Sequence, residues 1–259
     1  MTASERRRER SQHRFSSMAQ VSRMVSFPGR RGCTGGVPRC RNGSVNVSAH
    51  DPPVVLFHSM FGLRAVELSA AERLRGSGYL VHTPDLFTGA VVGDHGSVPA
   101  LQDGFALMDR IGWDTIVGRA RAAVRDLPAS TVLGGFSMGV GVLGSLWPDR
   151  PAAAGAFLLH ATATVPEGIP IGTPVQTHVG ADDDRFAPSD QLAAFRASAA
   201  QAGAEATLHA YPGAGHFYTD PSLPDYNPAA AARTWQHIDA LLDKARQRTT
   251  ANNPRNAAG

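Results

Sequence analysis

Thr131-Val132-Leu133-Gly134-Gly135-Phe136-Ser137-Met138-Gly139-Val140 is the stretch whose reading decides the fold. Its first three residues form a short β-branched and apolar run suited to a buried strand, and helical spacing begins at Val140. Between the two lies G-x-S-x-G, with Gly135, Ser137 and Gly139. A chain that passes from strand to helix in so few residues must turn sharply. The serine then sits strained at the tip with its hydroxyl exposed, and the flanking glycines allow close backbone approach. The bare pattern is weak, because roughly 0.2 chance occurrences are expected in a chain this rich in glycine and serine. Its place between a strand and a helix gives it weight.

Working outward, strand and helix alternate. The pattern predicts strands at 54–57, 79–81, 131–133, 156–159, 175–179 and 206–210. It predicts helices over 64–75, 101–109, 113–126, 140–147, 191–201 and 229–245, with a glycine-rich loop at 89–98. In the first helix Ala65, Leu68, Ala71 and Leu74 mark the expected apolar face. Alternation of this kind gives an α/β fold, a mostly parallel sheet with helices on both faces. Composition does not shift and no repeat appears inside the body, so residues 51–246 read as one domain and 247–259 as a disordered polar tail.

Charge divides the chain of 259 residues unevenly. Residues 1–50 carry ten arginines and two glutamates, a net +8, while the rest carries fifteen basic and twenty acidic residues, a net −5. The acidic body is unsuited to nucleic acid, and binding by the basic tail would rest on charge alone. The tail lacks a sustained period and is expected to be disordered. Three readings of it stay open: a product of an upstream start codon, a flexible basic arm, or an Arg- and Ser-rich targeting segment. It has no apolar core of the kind a secretory signal needs, so the cytoplasm is the default location. No run of about 18 apolar residues offers a membrane span. Cys33 and Cys40, the two cysteines, lie in the tail, which leaves the body without a thiol nucleophile, a Cys-held metal or a disulfide framework.

Serine is a poor nucleophile without a base, and the base needs an orienting group. In sheets that carry this turn, the acid and then the histidine follow on loops after later strands. The strand ending at Val179 runs into Gly180-Ala181-Asp182-Asp183-Asp184-Arg185-Phe186. The strand ending at Ala210 runs into Tyr211-Pro212-Gly213-Ala214-Gly215-His216. The three aspartates could equally be a solvated acidic turn, but a calcium loop is discounted because no acidic ligand follows at the twelve-residue spacing. An oxyanion would be held by the backbone N–H of Met138 and by one from the loop His58-Ser59-Met60-Phe61-Gly62, with Met60 the choice. His58 and His160 each end a strand and could line the pocket, together with Phe61 and Phe186. A metal on His58 and His160 would lack a third ligand, so no metal is expected. His82, His95, His178, His209 and His237 read as structural or surface residues.

Four stretches together resemble the dienelactone hydrolase family of α/β-hydrolases over roughly Val54 to Leu242. They are Leu56-Phe57-His58-Ser59-Met60-Phe61-Gly62-Leu63, His82-Thr83-Pro84-Asp85-Leu86-Phe87, the Ser137 turn, and Tyr211 to Phe217 with Asp220-Pro221-Ser222-Leu223-Pro224-Asp225-Tyr226. The resemblance implies an α/β-hydrolase domain without a large lid that cleaves small esters or lactones without a cofactor, and a monomer. Founding members use cysteine where Ser137 stands, and a glutamate where Ser59 stands. They also carry a substrate-binding arginine shortly after the histidine, where this chain has Phe217, Tyr218, Thr219 and Asp220. In the family the acid commonly precedes an aromatic residue by two positions and a proline by four. Asp184, with Phe186 and Pro188, fits that spacing, and Asp183 is the reserve.

The expected function is therefore that of a serine hydrolase acting on a small carboxylic ester or lactone through Ser137, Asp184 and His216. Acyl transfer on the same triad, or a non-catalytic binding protein on the same fold, are the alternatives.

Overall fold

The structure is a computed structural model and describes residues 51–93 and 99–251. The readings made for the basic tail, for His95 and for the end of the chain beyond Ala251 lie outside those residues.

Among the described residues six strands form one sheet: β1 (Val54–Phe57), β2 (Val81–His82), β3 (Val132–Phe136), β4 (Ala156–Leu159), β5 (Pro174–Gly180) and β6 (Glu205–Tyr211). Their order is β2-β1-β3-β4-β5-β6, and every pair is parallel. Parallel neighbours need crossovers, supplied here by α1 (Ala65–Gly76), α2 (Leu101–Ile111), α3 (Trp113–Val124), α4 (Met138–Leu146) and α5 (Ser189–Gln201). The last helix, α6 (Pro228–Ala251), returns across the sheet. Among the described residues no helix is long and apolar enough to cross a membrane.

The central strands β1, β3 and β4 are apolar on both sides because both sides are covered. Val55, Phe57, Leu133 and Leu158 meet Ile116 and Val117 of α3, Leu143 of α4 and Phe195 of α5. Their alternate neighbours Val54, Leu56, Val132 and Leu159 meet Leu74 of α1 and Ile238 and Leu242 of α6. Period-2 side-chain alternation thus feeds two cores with one set of strands.

Three differences from the sequence reading have physical causes. β3 runs on through Gly134, Gly135 and Phe136, all buried. A Cβ on Gly134 would fall inside the Phe157 ring of β4, so that glycine is a packing requirement of the sheet, not part of the turn. The buried face of α1 is Glu67, Ala70, Ala71 and Leu74, whereas Leu68 is 44% exposed. Capture of the Glu67 carboxylate, described below, accounts for this rotation. Finally, residues 247–251, read as disordered tail, are helical. Ala245 is fully buried, Arg248 donates to the carbonyl of Ile171, and Thr249 and Thr250 donate to carbonyls four residues back.

The chain enters at β1, steps out to β2, then crosses back to β3 and continues outward. Strand order therefore reverses between β1 and β3. The crevice at the carboxyl ends of those two strands is where this class of sheet binds ligands.

Candidate active site

Both loops at that crevice carry residues singled out above. After β3, Ser137 has φ 49°, the left-handed region that non-glycine residues avoid. Such strain typically costs about 1–3 kcal/mol and persists when the surroundings over-determine it. Here the Ser137 N–H donates to Leu159 O (2.7 Å), and the Val140 N–H donates to Ser137 O (2.9 Å). A Cβ on Gly135 would lie 2.6 Å from the Gly139 carbonyl, and one on Gly139 would lie 2.8 Å from His58 O. The two glycines therefore let the turn press against itself and against the end of β1.

His216 follows β6. Its Nε2 lies 2.9 Å from Ser137 Oγ, and both residues are 8% exposed. Its Nδ1 lies 2.6 Å from Asp183 Oδ2, with both side chains 7% exposed. The loop gets there through close contacts that require glycine. A Cβ on Gly180 would strike the Ala214 carbonyl, and one on Gly215 would come 2.7 Å from the Asp225 carboxyl carbon. The Asp225 carboxylate in turn accepts the Phe217 N–H (3.2 Å).

The carboxylate paired with His216 is thus that of Asp183, and Asp184 is exposed, which corrects the choice made on family spacing. The cause is a tight turn. The N–H groups of Phe186 and Ala187 both donate to Asp183 O, at 3.3 and 2.9 Å. One such turn places residues three apart on one side. Asp183 then reaches one edge of the imidazole while Phe186 stacks on its face, with centroids 4.0 Å apart.

The four pocket candidates fare differently. His58 is fully buried, accepts the Leu86 N–H at Nε2 (3.0 Å), and donates from Nδ1 to Ser59 O (2.7 Å). It ties the loops after β1 and β2 together instead of facing substrate, and burial lowers its pKa to about 4. His160, 1% exposed and at φ 69°, lies behind the site: its Nε2 is 2.9 Å from Thr219 Oγ1, and its ring stands edge-on to His216 at 5.8 Å. Burial, then the neighbouring His216 and His178, hold its pKa well below the ordinary value. Phe61, 1% exposed, packs at 4.9 Å on Phe217, beside His216. Phe186 retains partial exposure and bounds the site directly.

Met138 opens α4, and the first N–H groups of a helix have no acceptor within it. The Met138 side chain is buried, as is that of Met60, which packs where α2 has Gly104. Among the described residues no three His, Cys, Asp or Glu side chains are grouped so as to hold a metal ion.

Two features of the β1 loop escaped the sequence reading. Arg64 forms a shielded ion pair with Asp220, joining this loop to the one that carries His216. Glu67 is 1% exposed and accepts from Ser59 and Arg64. The available signal was its place three residues after the helix N-cap, the glutamate position of a capping box. Arg64 at the N-cap hides that pattern, which expects Ser or Thr.

A strained serine after β3, a histidine after β6 and an aspartate after β5 meet at the strand ends of a parallel sheet of the α/β-hydrolase type. The sequence profile of the dienelactone hydrolase family matches residues 43–245, and the chain belongs to that family. It is similar to the crystal structure of a dienelactone hydrolase-like promiscuous phosphotriesterase from metagenomic libraries. That match is 23% identical, covers 75% of this chain and 86% of the other, and has a TM-score of 0.56. A protein assigned as a dienelactone hydrolase from Klebsiella pneumoniae subsp. pneumoniae MGH 78578 is 21% identical. It covers 74% and 88% of the two chains, with a TM-score of 0.56. At these identities the likeness speaks to the fold. No curated protein is similar enough to count as a match.

Proposed function

We propose that the chain is a serine hydrolase that cleaves a small carboxylic ester or lactone through an acyl-enzyme, with Ser137 as nucleophile, His216 as base and Asp183 as the acid. The observation that carries this reading is the unbroken hydrogen-bond line from Ser137 Oγ through both nitrogens of His216 to Asp183.

Ser137 Oγ attacks the acyl carbon as His216 Nε2 takes its proton. The carbonyl oxygen becomes an oxyanion held by the N–H groups of Met138 and Met60. The intermediate collapses as His216 returns the proton to the leaving alkoxide. That leaves the acyl group esterified to Ser137, with the alcohol free or, for a lactone, tethered to the acyl chain. His216 then deprotonates water, which attacks the acyl-enzyme and regenerates the serine. Asp183 keeps the proton of the neutral ring on Nδ1 and pairs with the imidazolium. Family membership supports the reaction class. The absence of an arginine at positions 217–220 supports an ester or lactone without a carboxylate clamp at that point.

The experiment is turnover of p-nitrophenyl acetate and butyrate by the wild-type chain and by Ser137→Ala, with intact-mass detection of a fluorophosphonate adduct. Turnover and one adduct in the wild type, both lost in Ser137→Ala, are expected. Undiminished turnover by the variant overturns the serine mechanism. Added alcohol or amine acceptors distinguish hydrolysis from acyl transfer by product.

A further inference from the structure

We propose that Glu67 is a positioning residue that aims the Met60 N–H at the oxyanion, by holding the Ser59 peptide in a single orientation. The inference rests on the serine hydrolase reading given above.

Each polar group of Ser59 is engaged. Its N–H and its Oγ–H both donate to Glu67 Oε1, at 3.2 and 2.8 Å. Its Oγ accepts the Phe61 N–H at 3.4 Å. Its carbonyl accepts the Gly62 N–H at 3.2 Å and the His58 Nδ1–H at 2.7 Å. The peptide that joins Ser59 to Met60 is planar and trans, so the Met60 N–H points opposite to the Ser59 carbonyl. Fixing that carbonyl fixes the direction of the donor.

Glu67 supplies the anchor from α1. Its second oxygen accepts the Arg64 N–H at 3.1 Å, so one carboxylate gathers both ends of the loop from Ser59 to Arg64. Burying a carboxylate is costly unless donors replace its water, and three do so here. Burial raises its pKa, while the Ser59 hydrogen bonds and the Arg64 charge oppose that rise. The far side of the loop is pinned separately. The Val92 N–H donates to Phe61 O at 2.9 Å, and Gly62, at φ 91°, would carry a Cβ 2.5 Å from Ala90 O. With that side fixed, releasing Glu67 frees the Ser59 N–H and hydroxyl, and the Ser59–Met60 peptide is then held by the His58 and Gly62 hydrogen bonds to its carbonyl alone.

A carboxylate that merely capped α1 would affect stability alone. One that aims an oxyanion donor affects the transition state more than the bound substrate. Glu67→Gln keeps the shape but turns an amide N–H₂ toward a donor. Losing an oxyanion donor typically costs about 10²–10³ in rate, so a donor re-aimed but not removed is expected to lower kcat by about 10–100-fold. KM should stay within about twofold, because the interaction forms in the transition state. Affinity for a trifluoromethyl ketone, which forms a tetrahedral oxyanion adduct, should fall in parallel with kcat.

The test measures kcat, KM and trifluoromethyl ketone inhibition for wild type, Glu67→Gln, Ser59→Ala and Ser137→Ala, each corrected for folded fraction by circular dichroism. Ser59→Ala serves if Glu67→Gln does not fold, and should show a smaller loss of the same kind. Wild-type kcat and inhibitor affinity in the folded variants overturn the inference, as does a loss confined to KM or to the folded fraction. If Ser137→Ala abolishes turnover while the Glu67 and Ser59 variants are unaffected, the inference alone falls. If the wild type does not turn over esters, or Ser137→Ala still does, the underlying reading falls and takes this inference with it.

Discussion

Asparagine at position 183 should nearly silence the protein, while asparagine at position 184 should hardly be felt. The two residues are chain neighbours of the same type, but only Asp183 holds Nδ1 of His216, at 2.6 Å and largely shielded from water. In Asp183→Asn the imidazolium formed during attack loses its counter-charge. With charge centres about 4 Å apart at an effective dielectric near 20, that pairing is worth about 4 kcal/mol, or roughly 10³ in rate. The carboxamide can also turn its N–H₂ toward Nδ1. That forces the other tautomer and puts a proton on Nε2 where Ser137 needs a lone pair. Tautomer loss of this kind costs about 10⁴ in the serine proteases, so a fall in kcat of about 10³–10⁴ is expected. Asp184 is exposed, and its neutralisation should change kcat/KM by no more than about twofold. The assay is p-nitrophenyl acetate hydrolysis, with thermal melts to show that both variants fold. A loss of less than about tenfold in Asp183→Asn, or a severe loss in Asp184→Asn, would refute the assignment of the acid.

Two further predictions concern stability. Gly134→Ala places a methyl group inside the Phe157 ring, so it should destabilise the fold by about 1–3 kcal/mol, with Phe157→Leu restoring part of the loss. A double-mutant cycle by urea unfolding measures this, and additive effects would show that the contact is not the cause. His58, His160 and His178 are buried with pKa values held below the ordinary 6.5, His58 at about 4. A depressed histidine adds stability above its unfolded pKa and loses it as pH falls toward the folded value. The melting temperature should therefore drop between about pH 6.5 and 4. Glu67, shifted upward, has the opposite sign and gains stability on acidification, which offsets part of the drop. A melting temperature flat across that window would contradict the burial of these rings.

Most of the architecture could be read from residue types because strands covered on both faces are written as plain apolar runs. Val54–Phe57 and Ala156–Leu159 are found at the predicted bounds. Ser137 and His216 were legible for a related reason, since strand-end loops with glycine leave few polar residues to choose among. Asp183 was not, because three adjacent aspartates share one composition and the turn that selects among them is made by backbone bonds. His58 misled because a histidine ending a strand looks the same whether it faces substrate or a backbone N–H. Glu67 was overlooked because charge on a helix normally faces water, and two of the three donors that capture it belong to Ser59, eight residues upstream.

The edge position of β6 has a consequence for how the molecule fails. Among the described residues this strand pairs on one side alone, and Glu205, Ala206, Thr207 and Ala210 are exposed, yet it delivers the imidazole to a hydroxyl anchored in the centre of the sheet. Peripheral strands open at lower free energy than central ones. Mild urea should accordingly switch catalysis off while the interior around β1, β3 and β4 is still folded. The working lifetime of the enzyme is then set by its rim, and reinforcing the core would do little to extend it.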